Sequence, residues 1–224
     1  YSGMMPWDWF YQYRWEGLCG AIVFGLIFSF VVVLPHPPVK KFFLADFYLG
    51  RALNLQLWGG RIDAKMWLYL VGAIMLELNV LSFAGQDHMV FGADASPGIF
   101  ISAALLTFFV FDYLTFEEVH LYTYDLFAER VGFKLGWGCI AFYPFFYAIT
   151  WWATADLPDP GSSTFMLVVS VVIFLASWSL SRGANLQKYY FKKNPTRSFL
   201  GIKTEVISDV NRTLLVNGFW VLIR

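Results

Sequence analysis

Residues 164 to 195 read TFMLVVSVVIFLASWSLSRGANLQKYYFKKNP. No charge interrupts the stretch from Thr164 to Leu180, and an apolar run of about 17 to 25 residues is what a helix needs to cross the hydrocarbon core of a bilayer. Four cations, Arg182, Lys188, Lys192 and Lys193, follow directly. The juxtaposition predicts a membrane-crossing segment followed by a basic, polar tail that receives an anionic ligand at one face of the membrane.

The rest of the chain agrees with that reading. Hydrophobic residues make up 58% of the 224, aromatic residues 21% and charged residues 14%, and the mean hydropathy is +0.55. A soluble domain would carry about 25% charge. Five runs are long and apolar enough to span: Gly17 to Leu34, Met66 to Ala84, Pro97 to Phe116, Lys134 to Thr154, and Thr164 to Leu180. The expected fold class is therefore all-α, a polytopic transmembrane helix bundle of about five spans occupying residues 1–181. A cytosolic-side cofactor-binding segment over 182–224 completes it. The first run is read as a span because no small-residue cleavage site follows it.

Lysine and arginine placement gives the orientation. Lys40, Lys41, Arg51, Arg61 and Lys65 lie between the first two spans, and Arg130 and Lys134 follow the third. The segments Gly85 to Ser96 and Ala155 to Ser163 carry no lysine or arginine. Alternating basic and bare connections place the amino terminus outside and the basic tail in the cytosol. The expected setting is an integral, multi-pass one: the endoplasmic reticulum or nuclear envelope in a eukaryote, the inner membrane in a bacterium. The formal net charge of +0 hides this segregation and implies no nucleic-acid partner. Cys19 and Cys139 fall inside apolar runs and are read as packing residues, and no metal-ligand spacing is present. The opening at Tyr1 and the close at Arg224 lead us to expect further sequence beyond both ends.

Ionisable groups inside hydrocarbon cost roughly 2.5 to 3.5 kcal/mol each on insertion scales and so demand partners or a wet cavity. Glu77 and Asn79 meet this condition in the second span, as interhelical hydrogen-bonding groups. Asp112, near the end of the third, is followed by Glu117, Glu118, His120, Tyr122, Tyr124 and Asp125. Carboxyls and hydroxyls gathered where a span meets the cytosolic face can donate or relay a proton; tyrosines there also serve as interfacial anchors. Candidate catalytic residues are Asp112, Glu117, Glu118 and Tyr124. Lys188, Lys192 and Lys193 can act as point charges for phosphates, or as ordinary positive-inside anchors beside anionic lipid. The glycines at 132, 136 and 138 do not have dinucleotide-fold spacing, so a nucleotide would need cationic side chains and aromatic walls.

Several ordered blocks resemble the sterol reductase family that includes the sterol C-14 reductases, the C-7 reductases and the membrane region of the lamin B receptor. They are Asp46 to Asn54 with Asp63-Ala-Lys65-Met66, Glu117-Glu118 with Asp125 and Gly132-Phe133, Arg182 to Lys188 with Phe191 to Pro195, and Leu214 to Arg224. The resemblance implies NADPH-dependent reduction of a sterol carbon–carbon double bond, with the C-14 bond as first choice, in a membrane-embedded oxidoreductase. It implies a sterol substrate reached through membrane lipids. Cofactor contacts would fall on Lys188 and Lys192 for phosphates, with Leu215, Trp220 and Arg224 lining the nucleotide. Lys192 stands where many members have arginine, and Phe109 where many have tyrosine. The alternatives are a non-catalytic receptor or structural relative like the lamin B receptor, and a relative of the prenylcysteine carboxyl methyltransferases.

Overall fold

The computed structural model describes residues 7–209 and 212–222. In chain order the helices are α1 (Trp9–Gln12), α2 (Arg14–Val33), α3 (Phe43–Leu49), α4 (Ala64–Phe91), α5 (Pro97–Thr115), α6 (Glu117–His120), α7 (Tyr124–Phe127), α8 (Phe133–Trp137), α9 (Ile149–Thr154), α10 (Thr164–Lys193) and α11 (Phe219–Leu222). A π-helical stretch, Gly138–Phe146, lies between α8 and α9. Four helical segments are long and apolar enough to cross a membrane: Arg14–Val33, Ala64–Asp94, Pro97–Thr115 and Thr164–Lys193. The protein is thus an all-α, polytopic integral membrane protein.

The expected span at 134–154 is not one α-helix. It is divided into α8, the π-helical stretch and α9. The cause is Pro144, which has no N–H to give a preceding carbonyl and whose ring crowds the preceding turn. A widened, π-type turn accommodates such a defect, and a neighbouring helix ties down the same residue: Asn79 of α4 donates from Nδ2 to the carbonyl of Pro144 itself at 3.0 Å. This is the interhelical role expected for Asn79. Glu77 accepts from Thr107 of α5.

Two antiparallel hairpins were not anticipated. The first pairs β1 (Gln56–Leu57) with β2 (Ile62–Asp63). The second pairs β3 (Val206–Asp209) with β4 (Arg212–Leu215), in the register Val206 to Leu215.

The chain forms two compact units, residues 1–110 with 128–162, and residues 111–127 with 163–224. In the first, buried side chains of α1, α4, α5 and the region after the π-stretch, among them Leu76, Val80, Phe83, Ile99 and Ala148, form one core cluster. Val33, Leu68, Val131, Leu135 and Cys139 anchor another. Small residues set the spacing, as is usual where helices pack in lipid: a Cβ on Gly72 would meet the Cys139 carbonyl at 2.6 Å, and one on Gly25 would meet the Trp137 backbone at 3.2 Å.

The Asp46 to Arg51 block is an architectural knot in this unit. Asp46, fully buried, accepts from the backbone N–H of Val39 and Lys40 and from Arg51 Nε at 2.9 Å. Arg51 Nη1 donates to the His36 carbonyl at 2.9 Å, and Arg130 donates to the Arg51 carbonyl. Burial alone would raise the Asp46 pKa, but the Val39 and Lys40 amides and the Arg51 guanidinium outweigh it and hold the carboxyl below its usual range. Gly50, at φ +88°, lies so close to the Val131 carbonyl that no Cβ would fit.

The second unit is organised on α10. Ser163 caps it by accepting from Met166 N–H, and the helix runs without interruption through the apolar stretch and the cationic stretch to Lys193. The basic cluster therefore continues the same rod that carries the apolar run.

Candidate functional site

Helical periodicity sorts the residues of α10 below Leu180 onto two faces. Arg182, Tyr189 and Lys193 lie seven and then four residues apart and share one face, which meets residues 112–122. Arg182 Nε lies 3.7 Å from Asp112 Oδ1, and Trp178 Nε1 donates to Asp112 Oδ2 at 3.3 Å. The Phe116 ring lies beneath the Arg182 guanidinium, 4.5 Å from centroid to Cζ. Tyr189 makes an edge contact with Tyr122, and Lys193 lies 3.8 Å from Glu118. That last pair is exposed on both sides, a geometry that solvent screens to little net stabilisation. The Asp112 and Arg182 side chains are nearly buried, at 14% and 11% exposure, so their pairing is the one with structural weight.

Gly183 and Gln187, one turn apart, face the C-terminal segment. A Cβ on Gly183 would lie 2.8 Å from the Phe219 ring. Gln187 is 3% exposed; its Nε2 donates to the Asn217 carbonyl at 3.1 Å and its Oε1 accepts from Trp220 N–H at 3.0 Å. Gly218, at φ +74°, turns the chain directly over this amide and leaves no room for a Cβ. Asn217 ties the same turn to the segment that leads into β3, donating to the Lys203 carbonyl at 2.7 Å and accepting from Glu205 N–H.

Lys188 points between the two faces. Its Nζ is 4.7 Å from the Trp220 ring centroid and 5.6 Å from that of Phe127. The structure thus brings together Lys188 and Trp220, two of the expected cofactor residues, and adds Phe127. Leu215, at the end of β4, is buried. Lys192 is exposed, 6.0 Å from the Phe191 ring. Glu117 and Glu118 are exposed as well. Arg224 and the Tyr124 side chain lie outside the described residues.

His120, at the end of α6, is buried at 7% exposure and stacks on Tyr113, ring centroids 3.8 Å apart. Burial, and then the Arg182 charge, push its pKa down to about 4, against the opposing pull of Asp112. His120 is therefore neutral at physiological pH. Among the described residues, neither His120 Nε2 nor Arg182 Nη1 has a hydrogen-bond partner.

Arg182, His120, Gln187 and Phe127 were not among the expected site residues. Arg182 and His120 carried a signal, one at the head of the cationic cluster and the other beside the acids. Gln187 carried none, since only its turn partner at Gly218 reveals its task. No group of three or more metal-ligating side chains occurs among the described residues. An ammonium flanked by two aromatic rings fits a phosphorylated ligand bearing planar rings, because it offers charge and stacking area in one place.

Comparison with known proteins gives the family. The profile of the family described as "Ergosterol biosynthesis ERG4/ERG24 family" matches residues 37–224. The chain is 31% identical over 195 residues to a protein of Arabidopsis thaliana named Delta(14)-sterol reductase, covering 84% of this chain and 49% of the relative. It is 30% identical to a Methylotuvimicrobium alcaliphilum protein of that name, covering 84% and 43%, and 25% identical to Delta(14)-sterol reductase erg24 of Schizosaccharomyces pombe, covering 95% and 53%. The chain spans about half the length of the curated relatives it matches.

Proposed function

We propose that this chain, which belongs to the ergosterol biosynthesis ERG4/ERG24 family, is part of an enzyme that reduces a sterol carbon–carbon double bond with NADPH. The relatives' names point to the C-14 bond. The observation that carries the reading is the Lys188 ammonium set between Phe127 and Trp220, one turn and a half along α10 from the partly buried Asp112–Arg182 pair. One helix then presents both a cation for phosphate and a polar, dry cluster for proton handling.

An isolated alkene is a poor hydride acceptor. A proton must reach one alkene carbon first, leaving positive charge on the other. NADPH, when bound, supplies the hydride. The chain's residues must therefore hold a proton near an apolar pocket and exclude water, which strengthens each electrostatic contact inside. Asp112, Glu117, Glu118 and Tyr124 are the proposed acid and relay groups. Asp112 is preferred to the two glutamates, because its partly buried carboxylate can orient Arg182 and Trp178 whereas theirs face solvent. Lys188 and Lys192 are proposed to hold phosphate, with Leu215, Trp220 and Arg224 against the nucleotide.

The test uses the full-length protein in lipid nanodiscs, with one NADPH consumed per Δ14-unsaturated sterol reduced as the expected result. A charge-assisted phosphate contact is worth about 1.5 to 3 kcal/mol, so Lys188→Ala should raise the NADPH dissociation constant by roughly 10- to 150-fold. An unchanged constant removes Lys188 from the site. Absence of turnover with every unsaturated sterol favours a receptor or structural role.

A further inference from the structure

His120 Nε2 and Arg182 Nη1 are the most informative loose ends in the second unit. Buried polar atoms are almost always paired, and those that are not call for a ligand, a water or a chemical role. Both side chains interact with Asp112: the carboxylate holds Arg182 by its Nε and acts electrostatically on the imidazole. Neither group is loosely placed. Arg182 is clamped between Asp112 and the Phe116 ring, and His120 is stacked on Tyr113. Two polar groups have thus been oriented while, among the described residues, one nitrogen of each has no hydrogen-bond partner.

We propose that His120 Nε2 and Arg182 Nη1 form the polar half of a primary-carboxamide subsite, which receives the nicotinamide amide of the cofactor. The chemistry is complementary. Guanidinium Nη1 can only donate, and so matches a carbonyl oxygen. A neutral imidazole that keeps its proton on Nδ1 presents Nε2 as an acceptor, and so matches an amide N–H. The carboxamide carries both groups on one carbon. The depressed His120 pKa keeps the ring in the neutral form that an acceptor requires. Positions 120 and 182 would then fix the reactive ring of the cofactor, while Lys188 holds charge farther along α10. The subsite rests on the NADPH reading above, and its test separates the two.

Equilibrium binding of NADP+ to the full-length protein is compared with binding of the 3-acetylpyridine analogue, in which a methyl ketone replaces the carboxamide. The ketone keeps the carbonyl for Arg182 and loses the N–H for His120. Wild-type protein should bind NADP+ at least about tenfold more tightly, equivalent to about 1.4 kcal/mol. In His120→Phe, which can keep the stack on Tyr113, the preference should vanish through weaker NADP+ binding alone. Arg182→Lys should weaken both ligands together. A third readout needs no variant: with 15N-histidine, the Nε2 resonance of His120 in the wild-type protein should shift on adding NADP+ and stay in place on adding the analogue. Tight binding of both ligands with equal affinity, or a preference that survives His120→Phe, or an unmoved Nε2 resonance, overturns the subsite and leaves the NADPH reading standing. Failure of both dinucleotides to bind overturns both.

Discussion

Replacing Gln187 by methionine keeps the side-chain volume and removes two hydrogen bonds at once. Gln187 Nε2 no longer donates to the Asn217 carbonyl and Oε1 no longer accepts from Trp220 N–H. Both partners lie on the turn that carries Trp220 over Lys188, and Gln187 is 3% exposed, so water does not readily replace the lost amide. Leaving a buried donor or acceptor unpaired costs about 1 to 3 kcal/mol. Two such groups, one of them a carbonyl that tolerates under-satisfaction better, give about 2 to 4 kcal/mol against the docked position of residues 217–222. Hydrogen–deuterium exchange of the full-length protein in nanodiscs measures this directly. If the Trp220 amide exchanges by local undocking, its rate should rise roughly 30- to 1,000-fold in Gln187→Met, while peptides from α2 and α4 keep wild-type rates. NADPH affinity should fall in parallel, because Trp220 is no longer held beside Lys188. Wild-type protection of residues 217–222 in the variant would refute the claim that the Gln187 amide docks this segment.

Other perturbations test separate parts of the structure. Asp46 has a folded pKa below its ordinary value; such a group contributes stability above its unfolded pKa of about 3.9, and that contribution is lost as pH falls through the folded pKa. Acid titration monitored by exchange in residues 33–52 should show loosening only at the low-pH end, and Asp46→Asn should loosen the same region already at pH 7. His120 titrates in the same sense but in a higher window: its folded pKa of about 4 lies below the unfolded value, so its contribution is complete above about 6.5 and declines as pH drops towards 4. The apparent melting temperature should fall with pH across that window in the wild type and fall less in His120→Phe; Asp112, Arg182 and Glu118 are the charged groups nearby that must be held constant. Asn79→Leu should cost about 1 to 3 kcal/mol by leaving the Pro144 carbonyl unpaired and lower thermal stability by a few degrees, whereas Asn79→Gln should recover part of the loss.

Apolar run length made most of the fold legible. The runs at 17–34, 66–84, 97–116 and 164–180 each fall on a helix that is long and apolar enough to cross a membrane, because hydrocarbon leaves a backbone few options besides a continuous helix. The run at 134–154 obeyed the same criterion and came out divided. Hydropathy does not register that Pro144 lacks an N–H, nor that Asn79, 65 residues earlier, satisfies the carbonyl beside the break. The short hairpins were hidden for a related reason: β3 and β4 pair through backbone groups over four residues each, too short for side-chain alternation to stand out. At the site, Lys188 and Trp220 were legible as residue types, and their contact at 4.7 Å brings them together. The burial of His120 and the unused atom of Arg182 depend on neighbours distant in sequence, Tyr113 and Asp112 among them, which no local pattern encodes.

The two faces of α10 explain why the polar residues below Leu180 are spaced as they are. A straight α-helix is stiff along its axis, and five residues separate Arg182 from Gln187 by about 7.5 Å of rise and some 140° of rotation. One residue therefore reaches the Asp112 segment while the other reaches the Asn217 turn, and neither contact needs the helix to bend. Lys188, a single residue farther on, falls in the sector between Phe127 and Trp220. Inserting one alanine after Asn185 would leave Arg182 on Asp112 and rotate Gln187 and Lys188 by about 100°, away from Asn217 and Trp220. The Asp112 cluster and its depressed His120 pKa should survive that insertion while protection of the Trp220 amide is lost. Loss of both, or of neither, would mean that the rod does not set the two contacts independently.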